Sequence, residues 1–393
     1  MHQLVRAAER DARLVRELDL DEAARIRHAA NHARGVRIGP RGLATACRAS
    51  RVLPHHDPEN RRAVDAGPSF RRNGPGVYRA MATYLVTGGA GFIGSSIAEA
   101  LLAKGERVRI LDDFSTGRRS NLEGLKGNVE LVEGSVVDSA LVAKAMAGVE
   151  VVFHEAAIPS VSRSVQNPIE SLQSTVMGTT SVLEAARHTK VRRVIFAASS
   201  SAYGDTPVLP KIETMSPAPL SPYAVAKLSA EHLMRVFARL HGLETLSLRY
   251  FNVFGPRQDP TSQYAAVIPN FITAALKRTR PVVYGDGEQT RDFCFIENTV
   301  NANLLGASTS SKLSGEVVNI ACGERISLNK LLSIIGEESG TKLEAEYKPT
   351  RAGDVRDSLA SIDAARALIG YEPKVDVREG LKRTLAAFKV MYA

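Results

Sequence analysis

From residue 83 onward, short apolar runs alternate with stretches of helical periodicity. The apolar runs fall at 83–87, 107–111, 129–133, 150–154, 193–198 and 245–250, and helical patterns occupy 92–103, 139–147, 168–188 and 222–241. Strands separated by helices run parallel, and near-continuous apolar strands are buried on both faces. The order therefore predicts an α/β fold, a doubly wound parallel sheet with helices on both faces. Beyond about residue 251 the pattern loosens. Helices near 263–277, 298–307, 327–338 and 376–389 alternate with polar loops, which predicts a smaller C-terminal α/β domain, with a strand at 317–321 returning to the main sheet.

Composition bounds the rest. The chain has 393 residues, 44% hydrophobic and 24% charged, ordinary values for a globular protein with a real core. No run approaches the roughly 18 apolar residues of a membrane helix. No apolar secretory h-region is visible, and the three cysteines, Cys47, Cys294 and Cys322, are few and widely spaced. That usage suggests a reducing, cytoplasmic setting without a disulfide framework or a metal site. The net charge of +9 is unevenly placed: residues 1–80 hold 16 Arg, no Lys and nine acidic residues, a net +7, which leaves +2 for residues 81–393. The body is nearly neutral, so the charge gives no case for nucleic acid.

The composition break falls near residue 81. Residues 3–32 carry a helical pattern, whereas 35–80 read as loop or disorder. Met81 has the look of a native start, which makes residues 1–80 a dispensable or mis-annotated extension. A transit peptide is a lesser reading, because of the acidic residues.

The first strand runs into Thr87-Gly88-Gly89-Ala90-Gly91-Phe92-Ile93-Gly94 and then into a helix. Glycines there permit a tight turn, let the backbone approach a pyrophosphate and allow close helix–strand packing. Asp112 ends the next strand, placed to accept from both hydroxyls of a ribose. Strand, turn, helix and acid together predict a Rossmann-type NAD site built from Gly88, Gly91, Phe92, Ile93, Gly94 and Asp112. Arg118 and Arg119 lie close enough to keep NADP barely open.

Two further signals lie downstream. The strand at 193–198 ends in Ser199-Ser200-Ser201-Ala202-Tyr203-Gly204-Asp205, and ligands of open α/β sheets sit at such carboxyl ends. Ser221-Pro222-Tyr223-Ala224-Val225-Ala226-Lys227 follows, with Ser221 as N-cap, Pro222 in the first turn, and Tyr223 and Lys227 on one helical face. Lys227 is then expected to lower the Tyr223 pKa toward neutrality, giving a phenolate base for hydride chemistry on an alcohol.

This pattern resembles the extended short-chain dehydrogenase/reductase family over essentially all of 82–390. Within it the chain resembles the UDP-sugar 4-epimerases of the UDP-galactose 4-epimerase group, in particular a bacterial branch acting on UDP-N-acetylglucosamine and UDP-N-acetylgalactosamine. The runs Arg249–Pro260, Tyr264–Pro269, Gly285–Phe293 and Arg351–Ala360 carry the likeness. It implies Ser199, Tyr223 and Lys227 as catalytic residues, Lys227 also holding the nicotinamide ribose. It implies Asn252, Arg291 and Arg351 at the diphosphate, Asp354 at the uridine ribose, and Val267 and Ser358 in the substrate site. A tyrosine at the Ser358 position restricts the pocket to unacetylated sugars; serine leaves room for an N-acetyl group. The resemblance further implies NAD that is regenerated each cycle through a 4-keto sugar, a UDP-sugar as substrate, a homodimer through helices 168–188 and 222–241, and a role in polysaccharide precursor synthesis. Its two halves would be residues 81–255 for NAD and mainly 256–393 for the UDP-sugar.

Departures exist. Ser135 and Thr175 replace a family aspartate and asparagine near the cofactor, and Pro159 stands at a lysine position. Ser200 and Ser201 stand where dehydratases carry an Asp-Glu pair and decarboxylases keep the Glu, which disfavours both. UDP-glucose/galactose or UDP-glucuronate 4-epimerase and, further off, a non-catalytic NAD-binding regulator are the alternatives.

Overall fold

The computed structural model describes residues 70–72, 78–80, 82–259, 266–350 and 355–392. Its centre is one seven-stranded sheet: β1 (Thr83–Thr87), β2 (Arg107–Asp112), β3 (Val129–Glu133), β4 (Val151–His154), β5 (Arg193–Ser199), β6 (Glu244–Tyr250) and β7 (Glu316–Ile320). The order is β7-β6-β5-β4-β1-β2-β3, and every neighbouring pair is parallel. Strand succession reverses direction between β4 and β1, which opens a crevice at their carboxyl ends. All six expected strands are present, and the run near 317–321 does rejoin the sheet, beside β6.

Side chains alternate across the sheet, and both faces are buried. Val86, Phe153, Ile195 and Leu248 pack on one face with Ile97 and Leu101 of α1 (Phe92–Ala103). Leu85, Val152, Val194 and Phe196 pack on the other. There they meet Val142 of α2 (Ser139–Ala145), Leu183 of α5 (Gly178–Thr189) and Met234 of α6 (Pro222–His241). The α6 boundaries follow from its ends. The Ser221 hydroxyl caps the Ala224 N–H, Pro222 opens the helix, and Gly242 closes it at φ +67°. Beyond β6 come α7 (Val267–Lys277), α8 (Ile296–Ser308), α9 (Leu328–Ser339), α10 (Asp363–Ile369) and α11 (Val377–Tyr392).

The structure adds to the expectations at three points. The helix expected at 168–188 is present as α4 (Pro168–Leu172) and α5, joined by a π-helical turn at Gln173–Met177, with the short α3 (Val161–Gln166) before it. Gly178 is pressed against Val136 there, where a Cβ would stand 2.6 Å from Cγ2. The loop expected over 35–80 ends in an antiparallel pair, Phe70–Arg72 with Tyr78–Ala80. The short helix α10 carries no periodicity long enough to read. The helix expected at 3–32 lies outside the described residues. Among the described residues no helix is long and apolar enough to cross a membrane.

Candidate active site

β1 ends at Thr87, and Gly88 turns the chain with φ +67°. A Cβ on Gly88 would lie 2.7 Å from the Ala156 nitrogen, just past β4. Glycine alone lets the two strand ends close up in that conformation. Gly94 faces Gly88 from the first turn of α1, where a Cβ would stand 2.2 Å from the Gly88 carbonyl oxygen. Gly91 is the N-cap and has no side chain to cap the helix, so the first N–H groups of α1 stay open to an anion. Phe92 and Ile93 are half-buried beside them.

Asp112 ends β2. Its oxygens accept from the Ala90 and Phe114 amides, both at 2.8 Å. Burial pushes its carboxyl up, and those two hydrogen bonds pull it down. Each oxygen keeps a lone pair, enough to serve two ribose hydroxyls. Arg118 turns to Asp259 at 3.4 Å and Arg119 to Glu133 at 2.7 Å, so both arginines meet carboxylates. The groove here is lined by Gly88, Asp112, Ser135, Val136, Ala156 and Ile158. A glycine cradle, an open helix N-terminus and an acid at the second strand fit NAD. In the π-type turn, the buried Thr175 hydroxyl has no hydrogen-bond partner.

Ser199 and Tyr223 come together. The Ser199 Oγ accepts from the Ser201 amide at 3.2 Å and from the Ser201 hydroxyl at 2.8 Å, and it hydrogen-bonds the Tyr223 side chain. Lys227 departs from expectation. It is buried on the same helix, but its Nζ donates to the Ala197 carbonyl at 2.6 Å and sits 4.8 Å from the Phe196 ring centroid. Burial pushes the Tyr223 phenol up; the Ser199 hydrogen bond lowers it, and the Glu155 charge raises it further. The expectation that Lys227 lowers the Tyr223 pKa toward neutrality is therefore corrected: burial dominates the shift of the phenol, and it lowers the Lys227 pKa as well.

A second groove runs along Ser199, Tyr223, Lys211, Asn252, Arg291 and Ser358. A third shares Asn252 and Arg291 with it and adds Val267, Phe271 and Tyr284. Asn252, at φ +34°, donates its side-chain amide to the Asp292 carbonyl at 2.9 Å and to the Ser358 hydroxyl at 3.1 Å. The Arg291 guanidinium donates to the Thr290 and Arg356 carbonyls, at 2.9 and 2.8 Å. Arg351 and Asp354 lie outside the described residues.

Three polar residues escaped the sequence reading. Asp292 is buried and accepts from the Cys322, Gly323 and Ala360 amides at 2.9, 3.1 and 3.2 Å. It ties the Arg291 and Ser358 segments together; burial pushes its carboxyl up to about 6 against those hydrogen bonds. The Lys211 Nζ is held by the Thr206 carbonyl and hydroxyl. Glu155 receives the Tyr250 hydroxyl at 2.9 Å. Asp292 stands inside a run that carried the family likeness, which was the available signal; the other two have none.

Comparison with known proteins agrees with this geometry. Residues 84–321 match the model of the NAD dependent epimerase/dehydratase family. A UDP-glucose 4-epimerase of Mycolicibacterium smegmatis is 37% identical over 309 residues, covering 78% of this chain and 98% of that protein. A UDP-N-acetylglucosamine 4-epimerase from Methanobrevibacter ruminantium, solved with UDP-N-acetylmuramic acid, superposes with TM-score 0.76 at 37% identity, over 79% of this chain and 99% of that one. A UDP-glucuronic acid 4-epimerase from Bacillus cereus, solved with UDP-glucuronic acid and NAD, gives TM-score 0.74 at 31% identity, over 79% and 100%. The chain belongs to the NAD dependent epimerase/dehydratase family, as an NAD-dependent enzyme of the UDP-sugar 4-epimerase type.

Proposed function

We propose that the chain interconverts UDP-N-acetylglucosamine and UDP-N-acetylgalactosamine. The carrying observation is Ser358. Its hydroxyl accepts from Asn252 and, at 3.4 Å, from the Asp292 amide. The small side chain is folded back into the scaffold, which supports a pocket with room for an acetamido group.

In this reading Tyr223, as phenolate, removes the proton of the sugar 4-hydroxyl and later returns it. Ser199 holds the same oxygen by hydrogen bond. NAD held at the glycine turn would supply the hydride acceptor for C4 and the donor for its return. Lys227 lies one helical turn from Tyr223, poised for the nicotinamide ribose. Gly88, Gly91 and Gly94 cradle the pyrophosphate of NAD, and Asp112 takes the adenosine ribose. Asn252 and Arg291 grip the UDP diphosphate with Arg351, Asp354 takes the uridine ribose, and Val267 borders the base. The remote nucleotide keeps the oxidised sugar tethered while it turns over between faces. Residues 81–255 would thus serve mainly NAD and 256–393 mainly UDP. A second copy of the chain is proposed to cover Ile169 and Leu240, which are 70% and 72% exposed.

The test incubates the purified full-length chain, without added NAD, separately with UDP-N-acetylglucosamine, UDP-glucose and UDP-glucuronate, followed by anion-exchange chromatography. A UDP-N-acetylgalactosamine peak is expected. Conversion of UDP-glucose or UDP-glucuronate alone would overturn the choice of sugar. No conversion of any, even with NAD supplied, would favour a non-catalytic NAD-binding protein.

A further inference from the structure

Glu155 lies just past the end of β4, beside the crevice, and the proposed chemistry leaves it without a task. Three adjacent strands bring their carboxyl ends to its level. β4 pairs with β5 through His154 and Phe196, so Ala197 comes one step further along, level with Glu155. β5 pairs with β6 through Ser199 and Tyr250. The Lys227 Nζ sits on the Ala197 carbonyl at 2.6 Å. The Tyr250 hydroxyl donates to Glu155 Oε1 at 2.9 Å and accepts from the Asn303 amide at 2.8 Å. One carboxylate thus stands among the base's helix, the serine's strand and a buried Tyr–Asn relay.

We propose that Glu155 is a positioning residue for the reaction: from the end of β4, level with the Ala197 carbonyl that receives Lys227, its carboxylate supports the lysine as a cation and fixes the Tyr250 hydroxyl. The proposal rests on the epimerase reading of Tyr223 and Lys227. The charged and titratable groups around it are Lys227, Tyr223 and Glu231 on α6, Tyr250 and Arg249 on β6, His154 on β4 and Cys294 beside Tyr250. His154 is buried and neutral. Glu231 is clamped by Arg249 at 3.0 and 2.8 Å, so its charge is already matched. Glu155 is then the carboxylate left to offset the ammonium. Burial drives Lys227 down, and Glu155 is the first of the two charges that pull it back up. Burial likewise drives the Glu155 carboxyl up, and Lys227 opposes that shift. Each charge thus favours the ionised form of the other against burial.

Glu155→Gln keeps the shape and an acceptor for the Tyr250 hydroxyl while removing the charge. With Lys227 less supported, it loses its proton at lower pH. The alkaline limb of the kcat–pH profile should move down by about one unit. Glu155→Asp, which restores a carboxylate, should return the limb toward the wild-type position. A second readout needs no turnover: the carbon-13 resonance of the Lys227 Cε, assigned by its loss in Lys227→Met, should titrate about one unit lower in Glu155→Gln. If kcat falls equally at all pH values and the Lys227 titration stays put, Glu155 only packs, and the proposal is overturned. If the Lys227 titration moves in Glu155→Gln while the wild type converts no UDP-sugar, the coupling of Glu155 to Lys227 stands and the epimerase reading fails.

Discussion

Asn252 donates its side-chain amide to the Ser358 hydroxyl at 3.1 Å, joining the loop after β6 to a segment 106 residues further on. The contact fixes, with a small residue, one wall of the groove that also holds Ser199 and Tyr223. Ser358→Tyr would push a ring into that space and leave the Asn252 amide without this acceptor. Turnover of UDP-N-acetylglucosamine should fall at least about tenfold, a barrier increase of about 1.4 kcal/mol, while UDP-glucose remains accepted. Equal kcat/KM losses on both sugars would remove the role of this wall in selectivity.

Tyr223→Phe removes the phenol that meets Ser199 and leaves the ring's packing in place. kcat should drop by about 10²–10⁴-fold with unchanged far-ultraviolet circular dichroism. Retained turnover in this variant would sink the assigned base.

Gly94→Ala puts a methyl 2.2 Å from the Gly88 carbonyl oxygen, which is backbone and cannot swing aside. The turn must open, costing about 1–3 kcal/mol. The purified variant should carry less NAD than the wild type, read by ultraviolet absorbance after heat release, and should melt at lower temperature. Full NAD occupancy would show that the tight turn is not what holds the cofactor.

His154 is buried between Thr87 Oγ1 at 2.7 Å and Thr179 Oγ1 at 2.9 Å, and burial pulls its pKa from 6.5 to about 3. Between those values the unfolded chain binds a proton that the native state refuses. Stability is therefore full above pH 6.5 and is lost as pH falls toward 3, by about 1.4 kcal/mol per unit. From pH 6.5 to 5 the wild type should lose about 2 kcal/mol more than His154→Gln in urea unfolding. Parallel losses would mean that His154 already carries a proton in the fold.

The inner strands were legible because a parallel sheet buries both of their faces, which leaves apolar runs such as Tyr84-Leu85-Val86 and Val151-Val152-Phe153. Helix α6 was legible because Ser221, Pro222 and Gly242 mark its ends locally. The π-type turn was not: nothing in Gln173–Met177 breaks the helical pattern, and the contact of Gly178 with Val136 lies 42 residues away in sequence. Ser199 and Tyr223 were found through spacing and likeness. Glu155 was not, because a lone acid after an apolar strand looks like a loop residue until Tyr250, 95 positions on, is brought against it. The direction of the Tyr223 shift was missed for a related reason. Helical spacing puts Lys227 near the phenol, but only the packed sheet shows how dry the site is and which carbonyl the ammonium chooses.

β7 closes the sheet by pairing with β6 from Glu316↔Leu246 to Ile320↔Tyr250. The last sheet strand is thus delivered by chain that has already passed through α7 and α8. A fragment stopped near residue 255 would keep the glycine turn, Ser199, Tyr223 and Lys227, yet it would bare the hydrogen-bonding edge of the buried seven-residue strand β6, Glu244–Tyr250. Such edges recruit other chains. Residues 81–255 are therefore not a unit that can be excised by cutting near residue 255, and shortened versions should aggregate before they lose their local motifs.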